Sequence, residues 1–183
     1  HAPRRSQSMR MMMDAYAPEG VTELAVDSIF MMPHLGVLST IHEEAAAEVF
    51  EKARLVWLGT CIAPIGECKP DREALRVQGT LPDGSALDER FSLGQLRLYP
   101  LERDEQIELQ LTPLQNTLDL GEGPGKPITV KVRGGQVGLA IDLRGRPIVM
   151  PESPEQRVPL LQAWVEAMGE YGPGGQSRWT GGH

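Results

Sequence analysis

Between Leu55 and Met150 the chain never runs longer than a dozen residues without a glycine or a proline. Segments so short suit strands of four to eight residues better than helices, which need ten or more. Their apolar residues follow the period of a strand. Ile107, Leu109 and Leu111 alternate with Glu108 and Gln110; Ile128, Val130 and Val132 alternate with Thr129, Lys131 and Arg133; Leu75 and Val77 alternate with Arg76 and Gln78. Alternation sends every second side chain to one face, the pattern of a half-buried strand. The run LVWLGTCI from Leu55 to Ile62, closed by Pro64 and Gly66, and Leu93, Leu96 and Leu98 leading into Pro100 complete the set. Pro82, Asp83 and Gly84 form a turn, and Gly121 to Pro127 a loop. Gly134 and Gly135 read as a hairpin turn with a return strand from Val137 to Ile141. A turn at Arg144 and Gly145 then leads to a last, edge strand from Pro147 to Met150. Short strands at this spacing predict a small antiparallel β-barrel or a sandwich, with the barrel the first expectation.

The flanks have a helical period. Met9, Met12, Met13 and Tyr16 share one helical face, stopped by Pro18, Glu19 and Gly20, and a short apolar stretch from Leu24 to Val26 follows. Ile29 to Ser39, reading IFMMPHLGVLS, predicts a helix broken or preceded by a turn at Pro33. Thr40 with Glu43 makes a capping box opening a helix from Ile41 to about Ala53. At the other end Ser153, Pro154 and Gln156 mark a helix start, and Leu161, Trp164, Val165 and Met168 supply the stripe expected to pack on the barrel. The predicted class is α+β, mainly β with flanking helices. Its expected divisions are a helical segment over 1–54, a barrel-like domain with its terminal helix over 55–171, and a mobile glycine-rich tail over 172–183.

Charge and cysteine usage narrow the function classes. Lysine plus arginine number 18 against 25 aspartates and glutamates, a net charge of −7 that repels polyphosphate, so no nucleic-acid partner is expected. With 40% hydrophobic residues and no apolar run of membrane-spanning length, the chain reads as globular and without a membrane partner. Two cysteines are too few for a disulfide framework, which predicts a cytoplasmic compartment. The start at His1 reads as that of a fragment.

Several residues invite a chemical reading. Cys61 and Cys68 flank a proline and a glycine, with no histidine in the same stretch to complete a zinc site or serve as a base; a buried Cys61 and a loop-edge Cys68 are the plainer reading. His34 and His42 are eight apart, and Ala46 stands where a helical ligand pair needs its second histidine, so His42 reads as exposed and His34 as a turn or interface residue. Gly121, Gly123, Gly125 and Lys126 fail the phosphate-loop spacing, since Leu120 and Pro127 occupy the decisive positions. Arg144 and Arg146, in an R-G-R-P core between apolar segments, read as two solvated arginines on a hairpin turn that an acidic partner could meet. Met9, Met11, Met12, Met13, Met31 and Met32 suit either a core or an adaptable contact surface. No catalytic residue, metal ligand or cofactor follows from these patterns; His34, Arg144 and Arg146 are the candidate interaction residues.

Three stretches, MPHLGVLS (Met32 to Ser39), LGTCIAPIG (Leu58 to Gly66) and GGQVGLAIDLRGRP (Gly134 to Pro147), together resemble the C-terminal part of the glutamate mutase L family. These are actin-like accessory proteins associated with adenosylcobalamin-dependent mutases. The similarity extends to Arg157, Leu161 and Trp164, from about Gly20 to Gly169. The resemblance implies an N-terminal actin-like, sugar-kinase-like ATPase domain outside this chain, whose last strand and helices would be Val21 to Ala53. Asp27 matches only a strand end of that family, and no ATPase residue carries over. It further implies chaperone-like handling or reactivation of a mutase.

The expected function is therefore a non-catalytic accessory domain contacting a cobalamin-dependent mutase or its own ATPase domain. The alternatives are a small-ligand barrel with its pocket near Trp57, Cys61 and the Gly121–Lys126 loop, and, behind it, a hydrolase using Cys61 or His34.

Overall fold

The computed structural model describes residues 4–27, 31–52 and 55–169. In chain order the elements are α1 (Arg5–Tyr16), β1 (Gly20–Val26), α2 (Met31–Ser39), α3 (Glu43–Lys52), β2 (Val56–Ala63), β3 (Glu73–Thr80) and β4 (Ala86–Ser92). They continue with β5 (Leu96–Tyr99), β6 (Gln106–Pro113), β7 (Ile128–Arg133), β8 (Gly138–Asp142) and α4 (Pro154–Ala167). Two four-stranded sheets result, ordered β1-β2-β8-β5 and β4-β3-β6-β7. All neighbours are antiparallel except β2 and β8. No ladder joins the two sheets among the described residues, so the α+β class holds and the arrangement there is a pair of facing sheets, with no closed barrel.

The alternation explains the facing. Along β6, Ile107, Leu109 and Leu111 are buried while Gln106, Glu108 and Gln110 are exposed. The buried set meets Leu75, Val77, Phe91, Leu139 and Ile141 between the sheets. β8 is buried on both faces. Its Leu139 and Ile141 enter the inter-sheet core, while Ala140 joins Met9, Met13, Leu58, Trp164 and Met168 on the opposite side. The molecule thus has three layers, with α1 and α4 over the first sheet and the second sheet beneath it. Each fully buried Leu or Ile contributes about 1.5–3 kcal/mol.

Several sequence expectations need correction. Gly134 and Gly135 do not make a hairpin, because β7 lies in one sheet and β8 in the other. The chain crosses between sheets there, and it passes other backbone too closely for side chains. A Cβ on Gly134 would stand 1.9 Å from the Glu102 carbonyl oxygen, and one on Gly135 2.4 Å from the Leu58 carbonyl carbon. Pro147 to Met150 is turn and irregular chain, with no strand, since Arg146 ties the segment to Pro18. Thr40 does not cap α3: its Oγ1 donates to the Val37 carbonyl at 2.7 Å, closing α2, and α3 begins at Glu43. α2 runs unbroken through Pro33, which falls in its first turn where the missing N–H has no intrahelical acceptor. The packed face of α4 is Leu160, Trp164, Ala167 and Met168, while Leu161 is 37% exposed.

The expected division after residue 54 falls inside a shared structure. β1 pairs with β2 from Gly20↔Ala63 to Val26↔Val56, and α1 buries Met9 and Met13 against the same sheet. The helices α2 and α3 are an excursion between two paired strands. Ile29, Ala53 and the tail 172–183 lie outside the described residues. No helix among the described residues is long and apolar enough to cross a membrane.

Candidate functional site

Past Ile141, the alternation of β8 turns Asp142 to the helix side, where it is 1% exposed. One carboxylate oxygen accepts from the Arg144 backbone N–H at 3.0 Å and from its Nε at 2.9 Å. The other accepts from Arg144 Nη2 at 2.8 Å and Arg146 Nη2 at 2.9 Å. Arg144 Nη1 reaches Asp14 of α1 at 2.6 Å, and the guanidinium lies 5.0 Å from the Trp164 ring of α4. Arg146 Nε donates to the Pro18 carbonyl at 2.8 Å. The expectation of two solvated arginines is overturned: both side chains are buried, and their acidic partners lie within the chain. Burial works to raise the Asp142 carboxyl, but hydrogen bonding and charge from Arg144, then Arg146, outweigh it and hold the pKa below the ordinary carboxylate value. For Arg144 burial pulls downward and the Asp142 and Asp14 carboxylates prevail upward. This arrangement can pin α1, β8 and α4 together; its charges are met internally.

Cys61 lies on the helix side of β2 with no exposure. Burial, then the Asp142 charge, pushes its thiol up to about 12, so it is not poised as a nucleophile. Cys68 is half-buried and its thiol is raised by burial. His34 and His42 are exposed, on α2 and just before α3. Among the described residues no three of His, Cys, Asp and Glu group as metal ligands.

The Gly121–Lys126 loop is organised from within, by Asp119 Oδ1 accepting from the N–H groups of Gly121 and Gly123. Trp57, Cys61 and this loop do not converge. Trp57 sits opposite Ala25 at one end of β2 with Arg133 at 5.7 Å, while Asp119 bridges Ile65 beyond the other end. A shallow cleft of about 600 Å³ does border the loop, between Val21, Leu120 and Ile128.

The feature that residue-by-residue reading undervalued is the pair α2 and α3. Leu35 and Ala46 are buried, and among the described residues neither helix contributes a side chain to the two cores. Met32 is 47% exposed, Val37 65%, Ile41 71% and Phe50 42%. The apolar run around His34 was the signal, since an isolated two-helix excursion cannot cover both faces of such a helix.

Comparisons of the chain with protein-family models, curated proteins and solved structures find no match.

Proposed function

We propose that this chain is a non-catalytic protein-interaction module, and that its contact element is the α2–α3 hairpin. The observation that carries this reading is the exposure of Met32 and Val37 on α2, Ile41 in the turn between the helices and Phe50 on α3, in a hairpin whose described side chains join neither core. Large apolar side chains exposed in this way gain by being covered by a partner. The resemblance to glutamate mutase L accessory proteins includes MPHLGVLS, which is α2 itself, and names the partner: a cobalamin-dependent mutase or the protein's own actin-like domain. In this reading His34 belongs to the contact face, whereas Arg144 and Arg146 serve the scaffold that holds it. A small-ligand pocket has less support, because Trp57 and the glycine loop lie at opposite ends of β2.

The test replaces residues 27–55 by an Asn-Gly turn, which Val26 and Val56, already partners in the ladder, can accept. The shortened chain should keep its β-rich circular dichroism and lose capture of the mutase and of the ATPase domain. Val37→Glu with Ile41→Glu, both at exposed positions, should do the same with no change of fold. Undiminished capture by either variant would sink the proposal.

A further inference from the structure

The two sheets leave one side open between the edge strands β1 and β7 and another between β5 and β4. On the second side, β5 is paired, among the described residues, only with β8. The Leu143 N–H donates to the Gln95 carbonyl at 2.9 Å, and the register continues from Leu96↔Asp142 to Tyr99↔Leu139. Antiparallel ladders alternate, so Arg97 and Tyr99 turn their N–H and C=O groups to β8. Leu96 and Leu98 turn theirs to the free edge. Along this edge runs a cleft of about 710 Å³, bounded by β4, β5 and the second half of α4.

The two walls differ chemically. On the helix side Leu98, Leu160, Ala163 and Ala167 are apolar, with Glu166 beside them. On the side of the second sheet stands Glu89, half-buried on the face of β4 that also carries the core residues Leu87 and Phe91. Arg97 and Tyr99 share the corresponding face of β5. Arg97 is exposed and has no ion pair among the described residues. Tyr99 is 8% exposed behind the cleft lining, and its buried hydroxyl lies beside the Glu89 carboxylate without a well-formed hydrogen bond. Burial, then the neighbouring Glu89 carboxylate, pushes that phenol upward. A free strand edge and two charged side chains of opposite sign, Glu89 and Arg97, line this one cleft, so a segment laid along the edge must both complete the backbone pairing and satisfy those two groups.

We propose that this cleft takes an extended peptide segment of a partner protein, added as a further strand to β5. Successive side chains of such a strand point to opposite faces, so one meets the α4 wall and the next enters between Glu89 and Arg97. The first is a large apolar side chain. The second is a side-chain amide, whose NH₂ donates to Glu89 and whose carbonyl accepts from Arg97. Inward charges on edge strands deter indiscriminate pairing. Here they reject an all-apolar strand, which would bury Glu89 and Arg97 without partners. The surface is distinct from the α2–α3 hairpin and does not depend on it.

The probes are fluorescein-labelled, end-capped peptides of about eight residues, the length of a long strand. In one valine alternates with glutamine, and in the other every residue is valine. The glutamine peptide should bind the full chain, and by hydrogen exchange it should protect the Leu96 and Leu98 amides. Ala163→Arg, at an exposed position, fills the cleft, and Leu98→Pro removes an edge donor without touching the β8 ladder. Each should weaken binding by about tenfold or more. Absence of binding, equal binding of the all-valine peptide, or binding unaltered in Ala163→Arg would each overturn the proposal. Ala163→Arg decides the matter even if Leu98→Pro fails to fold.

Discussion

At the scale of single residues, Asp142 holds two buried guanidinium groups, so its charge matters more than its volume. Asp142→Asn leaves Arg144 and Arg146 short of a counter-charge in a buried site and is expected to cost about 3–5 kcal/mol in urea unfolding. The depressed pKa also sets an acid limit. A carboxyl lowered on folding contributes stability that is fully present above the unfolded value of about 3.9 and is lost as pH falls through the lower folded value. Stability should therefore decline below about pH 4, and less steeply in Asp142→Asn. Cys61 has the opposite sign. Its thiol rises from 9.0 to about 12, so its contribution is intact below pH 9 and lost as pH climbs toward 12. Cys61→Ala should flatten that alkaline limb, and a thiol reagent at neutral pH should label Cys68 well before Cys61. Gly59 shows what a missing Cβ permits. At φ +141° its Cβ would stand 1.8 Å from the Gly138 carbonyl oxygen, so Gly59→Ala would force β2 away from β8.

Individual elements were legible in the chain to different degrees. β6 and β7 announce themselves because one side of each faces a core and the other faces water, and period two records that difference. β4 is harder to read, since Leu87 and Phe91 are separated by the inward Glu89 that interrupts its alternation. α1 appeared as a methionine stripe, but only packing distinguishes its core residues from its surface. Met9 and Met13 have no exposure, whereas Met11 is 57% exposed. Met9→Ala and Met13→Ala should each cost about 2–5 kcal/mol, and Met11→Ala close to nothing, by chemical denaturation. α2 was legible as an apolar run; its standing apart from both cores was not, because isolation is a property of neighbours that are absent from the local pattern.

For the whole molecule, the inter-sheet core and the helix-side core share β2 and β8, so the two are expected to melt together. Phe91→Ala acts in the first and Trp164→Ala in the second, yet both should lower one common transition, by about 3–5 kcal/mol, when followed by far-ultraviolet dichroism and tryptophan fluorescence together. Two separate transitions would show the layers to be independent. The sequence by itself determined the mixed class, the alternating strands, the turn at Pro82 to Gly84 and the presence of the terminal helices, because period and turn chemistry act over a few residues. Only the tertiary structure decided that β8 runs parallel to β2, that Gly134 and Gly135 carry the chain from one sheet to the other, and that Arg144 is buried against Asp14, 130 positions away. Those outcomes depend on which surfaces meet after collapse. A glycine that permits a turn and one that permits two backbones to touch look alike in the chain, as do an arginine destined for water and one destined for a buried carboxylate.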